Sequence, residues 1–274
     1  MSSPLRHNNL VLGALLITAL TGMALVSLIW TPYGVLEIDV TQKLRPPSLA
    51  HWFGTDHLGR DVTSLILAGA QNSILAGVIA VGIGVVFGVG LGLLAAARKG
   101  WTEELIMRLT DFTFAFPALL TAIMLTSLLG PGIVDSIIAI GIFNIPVFAR
   151  VTRASANSVY ARDFILAARV AGQSEVAIAR AHVLPNIAAA LIVQVTIQFA
   201  TAILAEAALS YLGLGTQPPD PSWGRMLSEA QNLMFQAPML AIYPGFAIAL
   251  SVLGLNLLGD GLRDWLDPRL SRAR

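Results

Sequence analysis

Cysteine does not occur in this chain, which excludes disulfides, thiolate nucleophiles and cysteine-held metal sites. Charge is nearly as scarce. Asp, Glu, Lys and Arg make up 12% of the residues, against about 25% in a soluble domain. The Gly-x-x-x-x-Gly-Lys-Ser/Thr loop that cradles nucleotide phosphates is missing, as are His-Glu-x-x-His and Gly-x-Ser-x-Gly. The chain is therefore not expected to be an enzyme, and no cofactor, metal or nucleic-acid partner is expected.

What is abundant is apolar sequence, 55% of the 274 residues. Crossing a bilayer takes roughly 20 apolar residues in a helix. Charge-free runs extend over Leu10–Trp30, Val62–Ala97, Phe112–Val134, Ser136–Ala149, Ala181–Ala205 and Ala230–Gly259. The first is longer than the core of a signal peptide and ends at Trp30, a residue suited to the membrane interface; a retained anchor is expected. The second run reads as a polar lead-in and one span over 70–97. The third contains Pro117 and ends in the turn Gly130-Pro131-Gly132. The fourth is short, but reaches span length if the helix starts at Ile133 and Arg150 snorkels. The fifth carries Pro185 in its first turn, where a missing N–H costs little. The expectation is an all-α integral membrane protein of six transmembrane helices.

The basic residues orient these spans. With a cytoplasmic N-terminus and alternating spans, thirteen of the 17 basic residues fall inside: Arg6, Arg98, Lys99, Arg108, Arg150, Arg153, Arg162, Arg169, Arg180, Arg263, Arg269, Arg272 and Arg274. Only Lys43, Arg45, Arg60 and Arg225 fall outside. Omitting the fourth span would put the Arg-rich stretch 150–180 outside, so the charge bias supports that span. Both termini are then cytoplasmic. The division read from this pattern is an anchor helix with an extracytoplasmic segment over 1–69 and a transmembrane domain over 70–274.

The cytoplasmic stretch 150–184 is the most informative loop. Residues 163–171 suit a helix, with Ala167, Ala168 and Ala171 forming a small-residue face. Gly172 can take the left-handed conformation that ends a helix, and Ser174 can cap the next, which is expected to run to about Leu184, before Pro185. A face of small residues would let another protein approach closely, with Arg162, Arg169 and Arg180 able to pair with its acidic groups.

Inside the spans, Gly84 and Gly88 have the spacing of close helix packing. Gln194, Gln198 and Thr201 form one helical stripe, with Glu206 just beyond. Such polar groups face a protein interior or a water-filled path, so the stripe is a candidate wall of a translocation path or a set of interhelical hydrogen bonds. Asn144 and Asn256 are weaker candidates of the same kind. Thr55, Asp56, Arg60 and Asp61 suggest helix caps and a local ion pair. A metal reading of His51 and His57 lacks further ligands. A self-contained secondary transporter would need ionisable groups within its spans; here Glu206 and Asp111 stand only near span ends.

Phe164-Ile165-Leu166-Ala167-Ala168-Arg169-Val170-Ala171-Gly172, followed by Leu184-Pro185-Asn186, resembles the Glu-Ala-Ala loop of binding-protein-dependent ATP-binding cassette (ABC) importer permeases. Leu166 stands where that family has Glu, and His182 where it has Ile. His51-Trp52-Phe53-Gly54-Thr55-Asp56-His57-Leu58-Gly59-Arg60-Asp61 is similar to the outer segment of the C-type permeases of dipeptide, oligopeptide and nickel importers. So are Leu209–Gly215, Pro221-Ser222-Trp223-Gly224, Asn256–Asp264 and Asp267-Pro268-Arg269-Leu270. The resemblance implies a type I importer fold in a bacterial cytoplasmic (inner) membrane, with cytoplasmic coupling helices over 163–185. Ala167, Ala168, Arg169, Gly172, Leu184 and Pro185 would form the contact to an ATPase. It also implies a homologous second permease, two cytoplasmic ATPase subunits and an extracytoplasmic solute-binding protein around the bilayer-embedded chain. Peptides are the first expectation for the solute, with nickel and other small solutes as alternatives.

Overall fold

The computed structural model describes residues 4–266; the stretch Asp267–Leu270 and the basic residues Arg269, Arg272 and Arg274 lie outside that range. Every regular element among the described residues is helical. Five helices are long and apolar enough to cross a bilayer, and a bent pair makes the sixth crossing when its halves are taken as one span. The helices are α1 (Pro4–Ile29), α2 (Val62–Ala97), the bent pair α3 (Trp101–Phe114) and α4 (Ala118–Leu129), and α5 (Ile133–Tyr160). They continue with α6 (Asp163–Val170), α7 (Glu175–Tyr211), α8 (Trp223–Ala230) and α9 (Met239–Leu266).

The doubtful fourth span is a full helix that starts at Ile133. Other boundaries differ from the sequence expectations for physical reasons. The second span starts at Val62, not near 70, because the Asp61 carboxylate caps it, accepting from Ser64 N at 2.8 Å. Residues 62–69 are therefore helical, and the expected boundary at 69/70 falls inside a helix. The third crossing is not one rod. Pro117 removes a donor and disfavours the helical conformation at Phe116, and the two halves meet at 89°. The last span begins at Met239 rather than Ala230, since Ala230 closes α8 and a 3₁₀ turn over Gln231–Leu233 follows.

The fifth span departs most. The short helix after Gly172 does not stop before Pro185 but runs unbroken from Glu175 to Tyr211. A π-helical stretch, Ala179–Val183, ends two residues before the proline. The wider turn makes room for a ring that would otherwise clash with the carbonyl four residues back.

Helix α5 is the hub. A second π-helical stretch, Gly84–Val89, lies in α2 against it. A Cβ on Gly84 would sit 2.5 Å from Asn144 Cβ, one on Gly88 2.5 Å from the Ile145 carbonyl oxygen, and one on Gly92 2.6 Å from Thr152 Cβ. The glycines at this spacing are what let the two backbones touch. At the outer end Trp223 is fully buried. Its indole N–H donates to the Ile66 carbonyl at 3.0 Å, and its ring would lie 2.7 Å from a Cβ on Gly69.

Candidate functional site

Three groups of residues combine unusual burial, exposure or polarity. The first is the corner between α6 and α7. Gly172 has φ +79°, the left-handed region open to glycine. Gln173 N donates to Ala168 O at 3.1 Å and Gly172 N to Arg169 O at 3.0 Å, the paired bonds of a Schellman ending. Ser174 caps the next helix, accepting from Ala177 N at 3.2 Å. The corner has its own core: Ile165, Ile178 and Val183 are fully buried against Ala96, Ala156, Val159 and Tyr160.

This packing removes Ala168 from the expected small-residue face. Ala168 points into that core, while Ala167 and Ala171 are exposed. What the corner presents outward is large and apolar: Val170 is 90% exposed, Val176 63% and Leu166 58%. Arg169 is exposed, but its charge is already paired. Its Nε bonds Glu175 Oε1 at 2.7 Å, a second nitrogen bonds Oε2 at 3.2 Å, and its guanidinium stands 5.8 Å from the Tyr160 ring centroid. The hydrogen bond to Glu175 holds the Arg169 pKa above its ordinary value. Arg162 and Arg180 are exposed and make no ion pair among the described residues. Leu184 is half-buried and Pro185 exposed, both within α7.

The second group is the polar stripe of α7, and its members do not share a surface. Gln198 is buried and donates to Asn144 Oδ1 at 2.7 Å, while Asn144 Nδ2 donates to Ala80 O at 3.3 Å. That knot joins α2, α5 and α7, so the interhelical reading holds for Gln198. Gln194 is half-buried; Thr201 is exposed, with its hydroxyl on Ile197 O at 3.0 Å. Glu206 is fully buried. Its Oε1 accepts from Ser210 at 2.7 Å and Thr216 at 3.2 Å. Asn144, a weak candidate from sequence, is the centre of the knot. Asn256 is exposed.

The third group is the outer segment. Asp56 and Arg60 form the expected ion pair at 2.6 Å, and Asp61 both caps α2 and accepts from His51 Nδ1 at 2.9 Å if that nitrogen carries the proton. Two partners come from far along the chain. Arg60 also bonds Glu229 Oε2 on α8 at 2.6 Å, and Arg225 bonds Glu229 Oε1 at 3.0 Å. Burial alone lowers the Arg60 pKa, but the Asp56 and Glu229 charges outweigh it and the pKa stands above its ordinary value. Asp56, His57 and Glu229 are close enough to share a cation, yet Arg60 already occupies both carboxylates. Arg60→Ala should therefore destabilise this end by about 1–3 kcal/mol, since it leaves the buried Asp56 carboxylate without its ion-pair partner while Glu229 keeps Arg225. A thermal-unfolding midpoint equal to that of the parent would contradict this.

Comparison with known proteins places these features in a family. Residues 88–272 match the family model described as binding-protein-dependent transport system inner membrane component. The dipeptide transport system permease protein DppC of Alkalihalophilus pseudofirmus is 42% identical over 267 residues, covering 97% of this chain and 88% of that protein. The glutathione transport system permease protein GsiD of Escherichia coli O157:H7 is 48% identical over 224 residues, covering 82% of this chain and 74% of that one. The GsiD protein of Shigella flexneri serotype 5b is similar to the same extent.

Proposed function

We propose, because this chain belongs to the family of binding-protein-dependent transport system inner membrane components, that it forms half of the translocation pore of an ABC importer for short peptides. The substrate class rests on relatives named for dipeptide and glutathione transport. The other half of the pore is a homologous permease. Two cytoplasmic ATPase subunits supply the energy, and an extracytoplasmic binding protein delivers the peptide. Both termini lie in the cytoplasm, in keeping with the distribution of basic residues.

The observation that carries this reading is the corner around Gly172. A rigid, internally cored turn that holds Leu166, Val170 and Val176 in water is costly unless another protein covers it. Its apolar residues suit a groove on an ATPase, and Arg162 and Arg180 flank them with positive charge. Closure of the ATPases on ATP shifts the corner. The continuous helix α7 passes that shift into the membrane, and the pore exchanges inward for outward opening. Hydrolysis restores the inward state. In this reading Gln194 and Thr201 are the members of the polar stripe left to face a path, and residues 163–185 are the coupling segment.

Reconstitution of this chain with its partner permease, ATPases and binding protein should give ATP-dependent uptake of a dipeptide or of glutathione. Uptake of Ni²⁺ with no uptake of either peptide would replace the substrate class. ATP-independent uptake by this chain alone would overturn the importer reading and favour a secondary transporter.

A further inference from the structure

Helices α1 and α9 touch closely at their cytoplasmic halves and part at their outer halves. At the inner end a Cβ on Gly261 would lie 2.6 Å from Leu10 Cα, one on Gly13 2.8 Å from Leu258 Cα, and one on Gly254 2.8 Å from Leu16 Cβ. Further out the helices enclose a crevice of about 210 Å³, walled by Leu16, Leu20 and Met23 on one side and Phe246 and Ala247 on the other. Its outer end is bounded by Phe53 stacked on Tyr243, centroids 4.5 Å apart and planes 17° from parallel. Trp223 and Ile66 form part of the lining as well.

The lining decides what can enter. The Ser251 hydroxyl is bonded to Ala247 O at 2.7 Å and the Trp223 indole N–H to Ile66 O at 3.0 Å. That leaves the Tyr243 hydroxyl, too few polar partners for ordered water, which needs two to four, and far too few for a peptide backbone. Both walls are membrane-crossing helices, and α1 is the least buried of the candidate spans. Leu15 and Val26 continue its exposed apolar surface beside the crevice. The crevice thus opens between two candidate membrane spans, beside an exposed apolar surface.

We propose that this crevice binds one acyl chain of a membrane phospholipid and retains it as part of the folded subunit. The chain supplies the apolar atoms that close packing would otherwise require between the outer halves of α1 and α9. The glycine contacts below and the aromatic stack above limit its depth.

The test uses the full-length chain in vesicles of phosphatidylethanolamine and phosphatidylglycerol carrying a diazirine in one acyl chain. After exchange into fresh detergent to strip loosely held lipid, illumination should label Leu16–Met23 and Phe246–Leu250 at least ten-fold above Val86 and Phe87, which are exposed on α2. Ala247→Phe fills the crevice and should remove that excess label. Should this variant fail to fold, Ala19→Phe, at an exposed position on the facing wall, serves the same purpose. Crevice labelling no higher than at Val86, labelling unchanged by the filling substitution, or cross-linking to a second polypeptide in place of lipid would each overturn the proposal.

Discussion

Replacing Gly88 with leucine should abolish the folded subunit. Gly88 lies in the π-helical stretch of α2, pressed on α5. A Cβ there would come 2.5 Å from the Ile145 carbonyl oxygen, 2.6 Å from Phe148 Cβ and 3.1 Å from Ala149 N. Two of these three are backbone atoms of a helix that cannot bend away, and Phe148 is itself fully buried. Relief requires separating α2 from α5, which would break the Asn144–Ala80 bond and strip both helices of their packing. Overpacking one methylene costs about 1–3 kcal/mol; a whole side chain at backbone contact should exceed about 4 kcal/mol. Gly90→Leu is the control, because nothing stands within 4 Å of a Cβ there. Fluorescence-detected size exclusion should give a symmetric peak for Gly90→Leu and aggregate or no protein for Gly88→Leu. A symmetric peak for both would show that the α2–α5 contact is looser than described.

The second large effect is on coupling, with the fold left intact. Val170→Glu alters a side chain that is 90% exposed, so the subunit should fold as before. It places a carboxylate at the centre of the apolar corner. Burying that charge against an ATPase groove should cost at least about 2 kcal/mol, or about 30-fold in affinity. Paired with Leu166→Glu, the loss should be complete: ATPase no longer co-purifies, and ATP-driven uptake falls to background while the chain remains in the membrane. Gly172→Arg should also impair docking, but it forces a non-glycine residue to φ +79°, so backbone strain and surface change are mixed. Normal co-purification of the Val170→Glu, Leu166→Glu chain would remove the corner from the ATPase interface.

These two sites mark how far the sequence could be read. Local chemistry was legible. The Gly172 turn, the caps at Asp61 and Ser174 and the Asp56–Arg60 pair depend on neighbours a few residues away. The span count was legible because hydropathy and basic-residue bias are sums over long stretches. Features that depend on distant partners were not. Gln198 finds Asn144 across 54 positions and Arg60 finds Glu229 across 169, and no periodicity in one helix announces its partner in another. Ala168 was assigned to the wrong face because a small residue suits a docking surface and a tight core equally well. The unbroken α7 was missed because proline usually ends a helix, and the π-helical turn that accommodates Pro185 has no sequence signature of its own. Leu166 departs from the Glu-Ala-Ala pattern that the loop resembles, and its side chain is exposed.

That unbroken helix has a mechanical consequence. At 1.5 Å per residue, α7 is a rod about 55 Å long. Its outer end is clamped, with Glu206 buried among Ser210 and Thr216 and with Gly224 of α8 seated against the Ala207 backbone. The Gln198–Asn144 bond pins it to α5 roughly 35 Å from the cytoplasmic end and roughly 20 Å from the other. If α7 pivots as a rigid rod at that bond, a displacement of its Glu175 end reaches the Tyr211 end reduced in the ratio of roughly 35 to 20, and the contacts of Glu206 and Ala207 are the ones that must give.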